Sequence, residues 1–204
     1  MSALSRSSIF ENLSNGNLVV SPILTDEQVG PSSIDLRMGT VVLVARAGRQ
    51  SHVDPVAYLD QQSHRGVEER KQKHERFDVP FMQSFLLHPG SLALVPTLEW
   101  IKMPTTLQGV VTARSSWARE GLNIATATII NPGYRGIVTL ELANFGEIPI
   151  RLYPGLRLAQ LALYSLVRAD PEKDDRVAAS HFDLAFEPEA GNIAKKDGSF
   201  LPGN

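Results

Sequence analysis

Asn131-Pro132-Gly133-Tyr134-Arg135-Gly136-Ile137-Val138-Thr139-Leu140-Glu141-Leu142 reads as a tight turn feeding directly into a strand. Proline pre-sets its own φ, glycine accepts a positive one, and Asn-Pro-Gly is therefore turn chemistry. The six residues that follow alternate, which puts Ile137, Thr139 and Glu141 on one face of a strand and Val138, Leu140 and Leu142 on the other. Working outward, Pro and Gly recur beside short β-branched runs, and residues 40–45, 91–95, 109–113, 137–142 and 156–164 are the clearest strand candidates. Many short strands with such punctuation predict an all-β domain: a sandwich, barrel or jelly roll.

Two stretches break the pattern. Residues 52–78 are rich in His, Arg, Lys, Glu and Gln, and alternating acids and bases of this kind predict a polar surface excursion rather than a nucleic-acid arm. Residues 170–204 carry Asp, Glu, Pro, Gly and Lys around one apolar island at 182–186, so this tail is expected either to stay disordered or to order over something. Residues 1–169 are left as one domain, long enough to bury a core without cross-links.

Composition narrows the chemistry. The 204 residues include no cysteine, which removes disulfides, thiolate zinc sites and cysteine nucleophiles together and suits a reducing cytoplasm. No apolar stretch approaches the length of a membrane span, so a soluble protein without a membrane partner is expected. A formal charge of −2 argues against the broad basic surface that drives duplex binding, and no nucleic-acid partner is expected. Phosphate recognition, if present, must be local.

Two segments offer chemistry. Arg114-Ser115-Ser116-Trp117-Ala118-Arg119-Glu120-Gly121 follows a strand, and hydroxyls with flanking arginines at a strand-to-helix junction can cradle an anion. A serine-capped helical turn with surface arginines explains the same residues equally well. Glu141 rides on a rigid strand, and a carboxylate in a partly enclosed pocket can have its pKa raised until it serves as general base and acid. An exposed strand glutamate is the simpler reading on composition; the neighbouring turn and anion cradle favour the functional one. The five histidines, His52, His64, His74, His88 and His181, show no metal-ligand spacing and are expected to face solvent. Hydrolytic deamination of cytosine commonly uses a zinc held by His and Cys with a nearby Glu. Without cysteine, such a reaction here would rely on Glu141 to orient water and shuttle its proton, helped by Ser115 and Arg119.

With these residues quoted, the chain resembles the dCTP deaminase and dUTPase superfamily, and within it the deaminase branch. Four segments carry the likeness in family order: residues 30–39, 114–121, 131–144 and 148–161. The resemblance implies a jelly-roll-like, dUTPase-type β-barrel with a few short helices, assembled as a homotrimer with each active site at a subunit interface. It implies a deoxynucleoside triphosphate as substrate partner and Mg²⁺ accompanying its phosphates, with no zinc and no metal site of the chain's own. It implies that Arg114, Ser115, Ser116, Trp117, Ala118 and Arg119 lie in the motif meeting phosphates and base. Glu141 matches the proton shuttle, beside Thr139 and Leu140 on the same strand. Ser115 and the carbonyl of Ala127 look like further contacts of the catalytic water, and Tyr134 matches an aromatic that packs on the sugar.

Two departures matter. Asn131 stands where the family has an aspartate that contacts the sugar and, in dUTPases, holds the attacking water; Asn can bond a sugar hydroxyl but cannot act as a base, so dUTPase and bifunctional deaminase–dUTPase activity are both disfavoured. In the tail, Ser180-His181-Phe182-Asp183 replaces a Ser-Lys-Tyr segment that closes over substrate as a lid, and His181 is a weaker phosphate partner than Lys. The expected reaction is therefore metal-independent deamination of a cytosine deoxynucleotide, dCTP giving dUTP and ammonia. A dUTPase-type pyrophosphohydrolase and a non-catalytic deoxynucleotide sensor are the alternatives.

Overall fold

The computed structural model describes residues 2–46, 74–124, 128–167 and 184–188. In chain order these form β1 (Ser2–Ala3), α1 (Arg6–Ser14), β2 (Val19–Ser21), a 3₁₀ turn (Asp26–Gln28), β3 (Ser33–Arg37), β4 (Val41–Ala45), β5 (His74–Asp78), β6 (Phe85–Leu87) and β7 (Leu92–Lys102). Then follow β8 (Leu107–Ala113), α2 (Ser115–Arg119), β9 (Leu122–Ile124), β10 (Ile129–Ile130), β11 (Arg135–Asn144), β12 (Ile150–Leu152) and β13 (Arg157–Ser165). Each of the five expected strands is present, and the short amphipathic helix α1 is an addition: the Ser5 hydroxyl caps it by accepting from the Ser8 amide, and Ile9 is fully buried beneath it.

The strands make three sheets. In the first, β10, β8 and β13 lie side by side, with β3 and β1 sharing the far edge of β13. The second runs β5-β4-β7-β11-β9, with β2 also pairing β7. β12 and β6 form a third, small sheet. Alternation works as read on β11: Leu140 and Leu142 are fully buried, whereas Thr139 and Glu141 are half-buried. Leu140 and Leu142 join Ile34, Leu36, Leu161 and Leu163 in one apolar cluster filled from both large sheets.

The expected closed barrel is not what forms. Each sheet is an open path among the described residues, and the two large sheets meet at an isolated bridge, Met38 to Thr97. The physical reason lies in β7. Pro96, beside that bridge, has no N–H to extend a ladder, and its carbonyl is taken by the Gly39 amide at 2.8 Å. Immediately beyond, β7 bulges: Ile137 pairs with Trp100 and Thr139 with Pro96, so three residues, Thr97, Leu98 and Glu99, face Val138 alone.

Of the expected polar excursion, residues 52–73 lie outside the described residues, and its last five, 74–78, are a strand. β5 pairs with β4 over its whole length, and Phe77 stacks at 5.5 Å on Phe85. Exposed Glu75, Arg76 and Asp78 make it a charged edge that discourages further pairing. His88 is exposed as expected, whereas His74 is half-buried on β5; His52, His64 and His181 lie outside the described residues.

Candidate active site

β8 delivers its chain to Arg114, whose carbonyl accepts from the Trp117 and Ala118 amides and so starts α2. The turn leaves Ser115, Ser116, Ala118 and Arg119 exposed. Trp117 behaves differently: its ring packs against the core, and its indole N–H donates to the Arg157 carbonyl at 2.9 Å. It braces α2 against β13 while staying only half-buried.

Behind α2 sits a carboxylate that was not among the expected site residues. Asp35, buried on β3, pairs with the Arg114 guanidinium. It also accepts from Arg157 at 3.3 Å and from Gln160 at 3.4 Å. One acid on β3 thus gathers two arginines and a glutamine from two other segments, the start of α2 and β13. Arg114 has five N–H donors, and those not aimed at Asp35 can meet another acceptor. The signal was a charged residue inside the otherwise apolar run Ile34-Asp35-Leu36, where burial demands a partner.

The second half of the site is β11 and its entry turn. Asn131 is exposed at the tip, its carbonyl closing the turn on the Tyr134 amide at 3.2 Å with Gly133 at φ 76°. Tyr134 is half-buried, its ring against the core and its hydroxyl donating to the Ile137 carbonyl. Next on the strand come Thr139 opposite Pro96, Leu140 opposite Val95 and Glu141 opposite Leu94. The Leu140 side chain is wholly in the core, so only its main chain can face a ligand.

The tail reaches this same turn. The Leu184 amide donates to the Arg135 carbonyl at 2.5 Å and the Ile137 amide to the Ala185 carbonyl at 3.1 Å. Gly136, at φ 151°, permits the approach: a Cβ there would lie 3.2 Å from the Ala185 nitrogen and oxygen. Glu187 then forms an exposed pair with Arg76, which also holds Asp78; the pairing keeps the Glu187 carboxyl below its ordinary range. The apolar island of the tail therefore orders against β11, on the part of it that is described.

Within one chain the two halves stand on different sheets. Arg114 and α2 continue β8 of the first, Glu141 lies on β11 of the second, and α2 packs beside β9 at that sheet's edge. Ala127 and His181 fall outside the described residues. No group of three or more His, Asp and Glu side chains that could hold a metal ion occurs among the described residues. No helix among them is long and apolar enough to cross a membrane.

Comparison with known proteins agrees with this architecture. A family model described as dCTP deaminase-like matches residues 3–166. The chain is 35% identical over 167 residues to a protein of Methanobrevibacter smithii named "dCTP deaminase, dUMP-forming", covering 81% of each. A Dictyoglomus turgidum protein of the same name is 35% identical over 192 residues, covering 93% of this chain and 94% of its own. The crystal structure of a 2'-deoxycytidine 5'-triphosphate deaminase from Agrobacterium tumefaciens superposes with a TM-score of 0.59 at 23% identity. That match covers 79% of this chain and 46% of the other, and it bears on the fold alone. The strand-borne glutamate, the arginine- and serine-bearing turn and the length of these matches converge: the chain belongs to the dCTP deaminase-like family and is a hydrolytic deaminase.

Proposed function

We propose that the chain deaminates dCTP and carries the nucleotide on to dUMP, consuming two waters and releasing ammonia and diphosphate. The expectation that the reaction stops at dUTP, with a second hydrolysis disfavoured by Asn131, is corrected by the Methanobrevibacter smithii and Dictyoglomus turgidum relatives, whose names specify dUMP formation. The observation that carries the deaminase reading is Glu141, half-buried on β11 between two fully buried leucines, which gives its carboxylate a fixed direction and partial shelter.

In the first step water adds to C4 of cytosine. Glu141 accepts the proton of that water and delivers it to the ring nitrogen; it then passes the proton of the new C4 hydroxyl to the amino group, the C4–N bond breaks as the C4 carbonyl forms, and ammonia leaves. Ser115 and Arg119 supply donors for the charge that develops at the tetrahedral centre, and Ser116 and Arg114 engage phosphate oxygens. Tyr134 borders the sugar, and the Asn131 amide bonds a sugar hydroxyl. In the second step a water oxygen bonds to the α-phosphorus as the bridge to the β-phosphate breaks and diphosphate departs. Mg²⁺ enters as part of the substrate, bound by phosphate oxygens, the hard ligands it prefers.

The same reading includes a homotrimer in the cytoplasm, with Glu141 of one subunit facing α2 of another. Its support is the separation of the two halves on different sheets, together with apolar surface that a partner would cover: Met82 is 93% exposed, Ile148 73% and Phe145 71%.

The test follows dCTP consumption with separate assays for ammonia and diphosphate, and sedimentation at the assay concentration. Equal release of both from dCTP is expected. Diphosphate from dUTP without ammonia from dCTP would make the chain a dUTPase-type enzyme; binding without either product would make it a sensor. Full activity in a stable monomer would sink the shared site.

A further inference from the structure

The bulge in β7 lies one residue from the functional face of β11, and it is built around a buried charge. Opposite Val138 the normal strand partner is missing, and the Val138 amide instead donates to the Thr97 hydroxyl at 2.9 Å. That hydroxyl donates in turn to the Glu99 carbonyl at 2.8 Å. The Glu99 side chain is fully buried. One carboxylate oxygen accepts from Gln28 Nε2 at 2.9 Å and from Arg37 Nη1 at 3.1 Å, and the other accepts the Arg37 backbone N–H at 2.8 Å. Gln28 Oε1 completes the set by accepting from Arg37 Nη1 at 2.6 Å. The chain of bonds runs from β3 in the first sheet through β7 to β11 in the second.

Burying a carboxylate and a guanidinium is costly even when they pair, and apolar residues of similar size commonly serve stability as well or better. Fixing register, best attested between helices of coiled coils, is the established use of such a group. Register has a sharp meaning on β11, because a slip of one residue would turn Thr139 and Glu141 into the core and Leu140 and Leu142 toward solvent. A strand facing a bulge, with one amide lacking a ladder partner, is the place where that slip is easiest.

Building on the deaminase reading, we infer that Thr97, anchored by Glu99, Arg37 and Gln28, is a positioning residue for deamination, fixing the register and direction of Thr139 and Glu141 without touching substrate. Within this network of hydrogen bonds among the described residues, it is the bond from Val138 to Thr97 that reaches β11, so its loss acts on Glu141 through two residues of strand.

The experiment compares Thr97→Val, which keeps shape and loses the hydroxyl, with Thr97→Ser, which restores it, reading ammonia release, KM for dCTP and hydrogen exchange at the Val138 amide. Small displacement of a catalytic group can cost about 10²-fold, so kcat for Thr97→Val is expected to fall about tenfold to 10²-fold. KM should stay within about threefold, because phosphate contacts lie elsewhere. Val138 exchange should accelerate, and Thr97→Ser should return both readouts to near wild type. Faster Val138 exchange with kcat within about twofold of wild type would overturn the inference, leaving the bridge a merely structural one. Should Thr97→Val fail to fold, Glu99→Gln carries the same readouts, with the same kcat loss at steady KM expected and the same overturning result. If wild type releases no ammonia, the deaminase reading has failed; unchanged Val138 exchange in Thr97→Val would separately sink the bridge.

Discussion

Asp35 and Arg114 form an ion pair in which the acid is the more deeply buried partner, with side-chain exposures of 10% and 28%. The carboxylate on β3 therefore aims the guanidinium that opens α2. Asp35→Asn keeps the shape and drops the charge. Stability should fall by about 1–2 kcal/mol, less than for a fully buried pair because Arg114 and Arg157 both reach solvent. KM for dCTP should rise several-fold, with kcat less affected. An unchanged KM in folded protein would mean that Arg114 does not meet the phosphates.

Glu141→Gln should abolish deamination while leaving dCTP binding largely intact. Glutamine preserves shape but cannot accept the proton of water, so an interaction made mainly in the transition state is lost. A loss of about 10⁴-fold in ammonia release is expected, the upper end for general acid–base catalysis. Paired calorimetry and ammonia assays check it; near-wild-type release would reduce Glu141 to an ordinary strand residue.

Asn131→Asp addresses the second step. The exposed amide at the turn tip can orient a water but cannot take its proton, whereas a carboxylate there can. Diphosphate release from dUTP should rise by about tenfold or more with little change in ammonia release from dCTP. If neither rate moves, residue 131 does not hold the attacking water.

Burial holds the Glu99 carboxyl above its ordinary value, against the opposing pull of Arg37 and its backbone N–H. A raised folded-state pKa binds the proton more tightly in the folded protein, so this contribution is complete below the ordinary carboxylate value and is lost as pH rises through the raised one. Relative to Glu99→Gln, which does not titrate, wild type should therefore lose stability as pH rises from the ordinary value through the raised one. Thermal unfolding of both proteins across that range measures the slope, and a slope of opposite sign would show that pairing with Arg37 outweighs burial.

Local pattern carried the fold a long way. Alternation on residues 137–142 gave the face that bears Thr139 and Glu141, and each apolar run became a strand because a half-buried ladder is the stable place for such a run. What local pattern could not give was sheet closure, since the barrel fails at Pro96 and the bulge, and a bulge is a relation between two strands. Asp35, Arg37 and Glu99 were likewise missed as a set. Each is visible as a charge in an apolar stretch, but their charged partners are 62 to 122 residues away. Trp117 was read as facing substrate, and only the fold reveals that Arg157 takes its N–H.

The tail's hold on β11 has two parts of different character. The main-chain bonds at Arg135 and Ile137 are indifferent to dissolved ions, whereas the Glu187–Arg76 pair lies in solvent, where screening within about 10 Å at 0.1 M ionic strength weakens it. Raising salt should thus release the outer end of the segment first, while the inner end stays paired. The grip of residues 184–188 on β11 is set by the buffer as well as by the chain.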